Sequence, residues 1–244
     1  MKIYIAAHKM TQFPDLDRVY VPLQVGTDIH GRLAGNWEYD NTGKNISLKN
    51  DSFNELTGLY WIWKNATEDI VGLCHYRRYF VTLAGKAKNV FLQKQTNFLD
   101  EQDIQRLLFN ADMIVHNKTF FVRGCGMQYR STQKHPEDLD LLEQIIKEKY
   151  PEYVKPLRKV FSGHSCHLLN VLIARKSIFD AYCAWLFDVL FSVEEELRIR
   201  GEKDFQRRMG MLGERLLDVW IKKNDMKIKE CFMINTEKVN WKPW

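Results

Sequence analysis

The stretch GLCHYRRYF, residues 72–80, carries an imidazole and two guanidinium groups directly after an apolar run. That run, Ile70–Cys74, is short, apolar and typical of a buried β-strand. His75, Arg77 and Arg78 follow it almost without a spacer. Because charged groups are costly to bury without partners, these side chains must meet carboxylates or a ligand anion. The stretch therefore predicts a core strand that ends at a polar site.

The same kind of apolar, β-branched run recurs along the chain and alternates with longer helical patterns. Strands are predicted at Ile3–Ala7, Val19–Val25, Ile70–Cys74, Met113–His116 and Leu168–Ala174. Helices are predicted at 52–64, 139–150, 176–197 and 204–223, and a capping box of Ser52 and Glu55 opens the first. The alternation predicts an α/β fold, a mixed sheet flanked by helices in a single domain over residues 1–244. Residues 225–244, rich in lysine and aromatic side chains, are expected to form a strand and an irregular C-terminal arm.

The composition limits the class of protein. Of 244 residues, 45% are hydrophobic and 13% aromatic, which is ample for a core and excludes a disordered chain. No run of about 18 apolar residues is present, so no bilayer-spanning helix is expected, and the first ten residues turn polar too early for a secretory signal. Five cysteines without a CxxC pair indicate a reducing compartment, so a cytoplasmic location is expected. The net charge of +5 is compatible with an anionic ligand or an anionic membrane surface and selects neither.

The arginine pair at the strand end has two interpretations. In α/β sheets, ligands bind beyond the carboxyl ends of the strands, and the planar fork of arginine suits phosphate oxygens. In the first interpretation, Arg77 and Arg78 hold a diphosphate while Tyr76 stacks on a base. In the second, both arginines pair with nearby carboxylates such as Glu68 or Asp69. The position at a strand end favours the ligand site without excluding the ion pairs.

The loop DNTGKNISLKN, residues 40–50, immediately precedes a predicted helix. Asn45, Ser47, Lys49 and Asn50 cluster there, where backbone N–H groups and the helix dipole attract anions. Ordinary turn chemistry explains the same composition, because Asn, Gly and Ser are common in turns. Both interpretations stay open from the sequence.

The segment FSGHSCHLLNVLIAR supplies two histidines and an amide. Without a nearby Cys pair or a third carboxylate, His164 and His167 make a poor zinc site, so we expect one to line a pocket and the other to pack. Asn170 interrupts an apolar strand, and a buried amide needs hydrogen-bond partners, which indicates a pocket nearby. A metal hydrolase built on these histidines together with His75 and His135 is a weaker hypothesis, since the spacings match no ligand pattern.

Glu214 lies between Gly213 and Arg215 in MGMLGERLLDVW, on a predicted helix. A carboxylate near the buried side of a helix can act as a general base if desolvation raises its pKa. The alternative is an ion pair with Arg215 that ties the helix to the sheet. Other catalytic patterns are missing, since the sequence has no GxxxxGKS/T, GxGxxG, GxSxG or HExxH motif. Its basic residues do not gather on one helix with interleaved aromatics, so nucleic-acid binding is not expected.

These stretches resemble the DUF4422 family of bacterial polysaccharide-biosynthesis glycosyltransferases over residues 3–221. The matching stretches are IYIAAHK, VPLQVG, DNTGKNIS, ELTGLYWIWKN, VGLCHYRRYF, HPEDLDLLEQIIKEKYPEY, SCHLLNVLIARKSIFDAYCAWLFDVL and GERLLDVWI. The resemblance implies a GT-A-like, Rossmann-type sheet that binds a nucleotide sugar. It also implies transfer of a hexose, galactose or galactofuranose from a UDP-sugar, to a growing capsule, O-antigen or exopolysaccharide. The alternative is a non-catalytic subunit that binds a nucleotide sugar or a glycan within a polysaccharide-assembly complex.

The resemblance also gives the strand end a role. Most GT-A enzymes carry Asp-x-Asp there, which holds a divalent metal on the donor diphosphate, whereas this chain has His75 and the two arginines. The Asp-x-Asp at 138–140 opens a helix instead and is expected to be a cap. Fixed cations can neutralise the leaving diphosphate in place of a metal, so no cofactor is expected to be required, although a divalent metal stays open. At Gly126, Gln128 and Arg130 the chain departs from the tyrosine- and histidine-rich sequence of the family, which implies a different sugar or acceptor preference.

The resulting site prediction contains no metal ligand. Glu214 is the base on the acceptor hydroxyl, and His75 and Arg78 complete the catalytic set as parts of the diphosphate clamp. The predicted substrate-binding residues are His8, Asn45, Ser47, Lys49, Asn50, Thr57, Tyr76, Arg77, His164, His167 and Asn170. The expected partners are a UDP-sugar donor and a glycan or lipid-linked glycan acceptor, with peripheral contact to the inner face of the cell membrane and no nucleic acid.

Overall fold

A computed structural model describes residues 1–33, 35–92 and 97–237 of the protein, whose architecture is mixed α/β, as predicted. The strands are β1 (Lys2–Ala7), β2 (Tyr20–Gln24), β3 (Glu38–Tyr39), β4 (Ile70–His75), β5 (Arg78–Val81), β6 (Met113–His116), β7 (Thr119–Phe120), β8 (Ser165–Cys166), β9 (Leu172–Arg175) and β10 (Ile228–Asn235). The helices are α1 (Thr27–His30), α2 (Asn50–Phe53), α3 (Leu56–Asn65), α4 (Leu83–Leu92), α5 (Glu101–Phe109), α6 (Cys125–Thr132), α7 (Asp138–Lys149), α8 (Val154–Ser162), α9 (Lys176–Ile199) and α10 (Arg208–Lys223).

One half of the main sheet is parallel, with the strand order β3-β2-β1-β4. Its central strand β1 is buried on both faces, because Ile3 and Ile5 belong to one hydrophobic cluster and Tyr4 and Ala6 to another. Burial on two sides is typical of parallel strands that are covered by helices. The carboxyl ends of β1, β2 and β4 therefore meet at one edge of the sheet.

The other half of the sheet closes on itself, which the sequence did not predict. From β4 the ring runs through β5, β10, β6 and β9, and β9 pairs antiparallel with β4 again. Gly72 permits this last contact, since a Cβ there would lie 2.7 Å from Ile173 Cγ1 and 2.8 Å from the Leu172 carbonyl oxygen. The structure thus shows a mixed sheet with a closed, five-stranded ring, and the narrower GT-A-like description stays a prediction.

Helices cover both faces of the sheet. The larger hydrophobic cluster contains side chains of α3, α7, α8, α9 and α10, and the smaller one contains Ile104 and Leu108 of α5. The apolar stripe predicted for α9 is buried at every position: Phe179, Tyr182, Cys183, Leu186, Leu190, Val193 and Leu197. The long helix was predictable because this stripe keeps one period throughout.

Three predicted element boundaries are wrong for a shared reason. The helix predicted at 52–64 breaks at Asn54, which has φ 49° and ψ −129°, and the predicted capping box is not formed. The strand predicted at 168–174 begins late because Leu169 and Asn170 are left-handed. The last predicted helix also begins late, after the left-handed Arg207. Apolar periodicity continues across these residues, so it does not reveal the breaks.

The C-terminal segment begins with a strand, as predicted. This strand, β10, lies between β5 and β6 and so completes the ring instead of starting an appended arm. The predicted irregular arm extends over residues 238–244, which lie outside the described residues, and the single-domain boundary stays a prediction. Every helix in the part of the chain that the structure describes is too short or too polar to cross a membrane.

Candidate active site

A cleft of about 600 Å³ opens at the carboxyl edge of β1, β2 and β4. This volume is in the range of sites that hold small-molecule ligands. One wall consists of the strand ends and the turn between β4 and β5, and the other consists of α2, the turn before α3 and the first half of α10. Seven of the predicted site residues line it: His8, Asn50, His75, Tyr76, Arg77, Arg78 and Glu214.

Arg78 presents a cation to the cleft from the start of β5. Its Nη1 lies 3.4 Å from Nδ1 of His75, the residue paired with it across the turn. Burial, followed by the charge of Arg77, lowers the pKa of Arg78. Among the described residues no carboxylate lies within ion-pair distance of Arg78, and Glu68 pairs with Lys2 instead. A partly buried guanidinium without a counter-ion favours a ligand anion.

Arg77 differs from its neighbour because it has a carboxylate partner. Its Nη1 donates to Glu237 Oε2 at 2.8 Å, and Lys9 Nζ lies 3.5 Å from the same carboxylate. This hydrogen bond raises the pKa of Arg77. Ion pairs between exposed side chains contribute little to stability. Arg77 can therefore exchange Glu237 for an anion in the cleft at low energetic cost.

The two histidines beside the arginines are neutral near pH 7. Burial, followed by the charges of Arg78 and Arg77, lowers the pKa of His75 to about 3. Burial also lowers the pKa of His8, whose ring lies edge-on to Tyr76 at 5.4 Å. His75 therefore enters the predicted diphosphate clamp as a neutral hydrogen-bonding group, and the charge of the clamp rests on the arginines.

Two carboxylates act on Arg78 from the opposite side of the cleft. Glu214 accepts a hydrogen bond from the backbone N–H of Leu169 at 3.1 Å. Glu55 accepts one from Asn170 Nδ2 at 2.7 Å. Burial, followed by the charge of Glu214, raises the pKa of Glu55 to about 7, and burial likewise raises the pKa of Glu214. Near neutral pH this pair can hold a proton, which suits acid–base chemistry.

The ion pair proposed as the alternative role of Glu214 exists in a weak form. Arg215 Nη1 lies 3.5 Å from Glu214 Oε2, while Arg215 Nη2 donates to Gln128 Oε1 on α6. The long distance shows that the carboxylate is not saturated by this partner. Glu214 can therefore contact Arg215 on one side and face the cleft on the other.

The backbone around the carboxylates is strained. Of the five non-glycine residues with positive φ in the described ranges, three line the cleft, Asn54, Leu169 and Arg207, and a fourth, Asn170, lies behind its wall. Such conformations cost of order 1 kcal/mol or more and persist only where the surroundings fix them. Asn170 is buried, and its amide holds Glu55, so the strain positions a carboxylate. Concentrated strain of this kind is typical of binding and catalytic sites.

Two glycines let α10 approach the turn between α2 and α3. A Cβ at Gly210 would lie 2.6 Å from Asn54 Nδ2, and one at Gly213 would lie 2.8 Å from Leu56 Cδ1. The contact brings Glu214 to the edge of the core, where its side chain faces the cleft.

Ser47 and Thr57, predicted to bind substrate, instead hold a buried aspartate. Asp40 has no exposed surface, and its carboxylate accepts hydrogen bonds from Ser47 Oγ at 2.6 Å and Thr57 Oγ1 at 2.7 Å. It also accepts the backbone N–H groups of Gly26 at 2.8 Å and Thr27 at 3.0 Å. Because both hydroxyls donate to Asp40, they stabilise the loop before α2 and do not line the cleft.

Asn45 and Lys49 also lie outside the cleft. Asn45 Oδ1 accepts the backbone N–H of Ser47 at 3.1 Å, which is the turn chemistry that the sequence left open. Lys49 Nζ lies 2.6 Å from Glu194 Oε2 on α9. Of residues 40–50, Asn50 alone lines the cleft. It is therefore the one residue of this loop that can contact an anion there.

The two histidines before β9 do not reach the cleft either. His164 is exposed, and its ring stacks near Phe120 at 6.1 Å. His167 is fully buried, and its ring nitrogens lie 2.8 Å from Asp218 Oδ1 and 3.1 Å from Glu230 Oε1. One histidine therefore packs, as predicted, but the other lies on the surface instead of lining a pocket.

The Asp-x-Asp at 138–140 does not cap its helix. Asp138 forms a buried, two-point ion pair with Arg208, at 2.5 and 2.9 Å, and Asp140 pairs with Arg130. Within the described residues no group of three or more His, Cys, Asp or Glu side chains could hold a metal ion, so the histidines of the hydrolase hypothesis are not brought together. Metal independence itself stays a prediction.

Glu55 and Arg207 are the charged lining residues most relevant to the chemistry of the cleft that the sequence did not predict. Glu55 lies three residues after Ser52, which is the spacing of a capping box. This spacing does not show whether the carboxylate caps the helix or faces a ligand. Arg207 lies in a polar stretch without any motif. The glycines of α10 are the one signal in the sequence that pointed to this wall.

The fold and the cleft define an α/β protein with a ligand-sized site in which arginines and carboxylates face each other. The chain belongs to the DUF4422 family, described as a domain of unknown function, whose model matches residues 2–225. Its structure is similar to that of the WbbM bifunctional glycosyltransferase in the apo form, with a TM-score of 0.82 and 25% sequence identity. The likeness covers 97% of this chain and 45% of the WbbM chain, so this chain spans less than half of that protein. No curated protein matches the chain in sequence.

Proposed function

We propose that the chain transfers a glycosyl group from a nucleoside-diphosphate sugar to a hydroxyl group of a glycan acceptor. The observation that carries the proposal is Arg78, a partly buried guanidinium in the cleft with no carboxylate at ion-pair distance among the described residues. With Arg77 beside it, two planar guanidinium groups match the oxygens of a diphosphate. The similarity to a bifunctional glycosyltransferase supports the same class of reaction.

In this reaction the bond between the sugar C1 and the diphosphate oxygen breaks, and its electron pair leaves with the nucleoside diphosphate. Arg77 and Arg78 stabilise the negative charge that develops there, and neutral His75 adds a hydrogen bond. The acceptor oxygen forms the new bond to C1. Its proton passes to a carboxylate on the opposite wall of the cleft.

We assign the base to Glu214, with Glu55 as its partner. Two carboxyl groups that interact share their protons, and the group with the higher pKa keeps the proton. Burial and the charge of Glu214 raise the pKa of Glu55 to about 7, so near neutral pH the pair can hold one proton. In the proposed reaction the ionised carboxylate of Glu214 accepts the acceptor proton.

The finer assignments rest on the family resemblance. We propose a UDP-linked galactose or galactofuranose donor, a growing capsule, O-antigen or exopolysaccharide chain, free or lipid-linked, as the acceptor, a GT-A-like donor site and a cytoplasmic location. The aromatic rings of His8 and Tyr76 beside the arginines are suited to contact the nucleotide.

The test combines binding with turnover. Purified chain is screened by thermal shift against UDP, other nucleoside diphosphates and UDP-sugars, and release of the nucleoside diphosphate is then measured with glycan acceptors. Stabilisation by a nucleotide sugar together with turnover supports the transferase. Stabilisation without turnover on any acceptor favours the subunit that binds a nucleotide sugar. No stabilisation by any nucleotide contradicts both the transferase and that subunit, and leaves the subunit that binds a glycan.

A further inference from the structure

Three exposed apolar side chains lie in one short segment outside the cleft. Phe120, Val122 and Met127 are 68%, 80% and 54% exposed. Phe120 ends β7, which forms a two-stranded sheet with β8 apart from the main sheet, and Met127 lies in α6. Single exposed apolar residues are common on proteins, but three within eight residues form a patch that marks an interaction site.

Backbone hydrogen bonds join this patch to the end of α8. The N–H of Phe121 donates to the carbonyl oxygen of His164, and that of Cys125 to the carbonyl oxygen of Gly163, both at 2.7 Å. A Cβ at Gly126 would lie 3.1 Å from the Phe161 carbonyl oxygen, so α6 and α8 are in close contact. These backbone contacts place residues 118–127 beside residues 159–164, and the exposed side chains of the two segments are called the β7–α6 surface below.

The β7–α6 surface carries positive charge. The sequence contains no Asp or Glu from residue 113 to 136 or from 153 to 179. Arg123 and Lys159 are exposed on this surface, and neither forms an ion pair within the described ranges. Lys118 is exposed as well, but it lies 3.6 Å from Asp218. The exposed apolar side chains therefore lie near two cations without an ion-pair partner among the described residues, which is the complement of an anionic interface with an apolar interior.

We propose that the β7–α6 surface binds an anionic lipid bilayer. Phe120 and Val122 enter the boundary between headgroups and acyl chains, while Arg123 and Lys159 contact lipid phosphates and bury their aliphatic stems. A bilayer needs no pocket that matches each side chain, which suits exposed side chains at a strand end, in the turn that follows it and on a neighbouring helix. Each basic side chain near an anionic membrane strengthens binding by about fivefold. This binding is independent of the reaction proposed for the cleft.

Vesicle flotation of the full chain tests the proposal. Wild type should float with vesicles that contain phosphatidylglycerol and much less with pure phosphatidylcholine, and added salt should weaken the binding. The double substitution Phe120→Ser and Val122→Ser, and separately Arg123→Glu, should each lower the partition coefficient at least about tenfold. Phe109→Ser is the matched control, because Phe109 is 81% exposed at the end of α5, and it should change nothing.

A site-specific label gives a second readout. All five native cysteines are buried, so a single Val122→Cys variant can be labelled with an environment-sensitive dye at that position. The dye should shift to shorter wavelength when anionic vesicles are added, and the same dye on Phe109→Cys should not. Wild type that binds neutral and anionic vesicles equally, or not at all, overturns the proposal. So does binding to soluble polyglutamate that matches vesicle binding and is unaffected by the apolar substitutions, which would indicate an acidic protein partner.

Discussion

Arg78 is the residue on which the proposed transfer reaction depends most directly. If it stabilises the leaving diphosphate, Arg78→Ala should lower kcat/KM by about a hundredfold to a thousandfold, or roughly 3–4 kcal/mol, as for other preorganised charge donors. The unfolding free energy should barely change, because the side chain has no ion-pair partner among the described residues. Arg77→Ala should have a smaller effect, since Arg77 already binds Glu237. Steady-state kinetics and urea unfolding measure both quantities.

The matched control for this prediction is Arg200→Ala. Arg200 pairs with Glu196 on the exposed side of α9 and lies outside the cleft, so its loss should leave kcat/KM unchanged. An Arg78→Ala protein that unfolds in the absence of ligand would make Arg78 a structural residue, and one that stays folded with full turnover would exclude Arg78 from the reaction.

Substitution of Glu214 tests its proposed role as the general base. Glu214→Gln keeps the shape and the acceptor for the Leu169 N–H but removes the basic oxygen. Turnover should fall at least about a hundredfold, as expected when a general base is lost, while donor affinity stays the same. Kinetics and donor titration separate the two quantities. Wild-type turnover would leave Glu214 as an ion-pair partner of Arg215 and the base unidentified.

Glu55 makes stability depend on pH in a predictable direction. Its pKa is raised from 4.5 to about 7, so the folded protein keeps a proton that the unfolded chain releases. The favourable contribution is therefore complete below about pH 4.5 and is lost as the pH rises through 7, by at most about 3 kcal/mol. Glu55→Gln should remove this decline from the curve of unfolding free energy against pH. Parallel curves for the two proteins between those pH values would contradict the assignment.

At the scale of elements, the loop before α2 depends on Asp40. Its four hydrogen bonds come from two hydroxyls and two backbone N–H groups, and all lie in a buried environment. Asp40→Ala leaves those donors without an acceptor, each at a cost of about 1–3 kcal/mol, so the unfolding free energy should fall by about 3 kcal/mol or more. Asp28→Ala is the control, because Asp28 is exposed. Equal losses in the two variants would show that the network contributes no more than a surface turn.

The elements that were predictable are those with one uninterrupted period. The strands β1, β4 and β6 and the helices α7 and α9 lie where the sequence placed them, because apolar positions repeat without a break. The breaks at Asn54, Leu169 and Arg207 were not predictable, since they depend on tertiary contacts such as that between Gly210 and Asn54. These breaks border the cleft, so local rules fail where the candidate site is built.

The tertiary structure brings together segments that are far apart in the sequence. The sequence placed His75, Arg77 and Arg78 at the cleft because they adjoin a strand, and a strand end is a local feature. It could not locate Ser47, Thr57 and the histidines before β9, since their hydroxyl and ring groups serve equally well in turns, buried networks and ligand sites. The closure of the five-stranded ring could not be predicted from the sequence either, because the pairing of β10 with β5 and β6 joins segments more than a hundred residues apart.

Metal dependence is a property of the whole site. Arg77 and Arg78 provide two positive charges in the cleft, at the strand end that the family resemblance compares with the metal-binding Asp-x-Asp of GT-A enzymes, and a further cation beside them would be repelled. Asp138 and Asp140 are engaged with Arg208 and Arg130, so recruiting them would break two ion pairs. Turnover should therefore persist in EDTA and gain nothing from Mn²⁺. A metal-dependent transferase in the same assay provides the control, and strict Mn²⁺ dependence with the metal held by side chains of this protein would contradict the clamp.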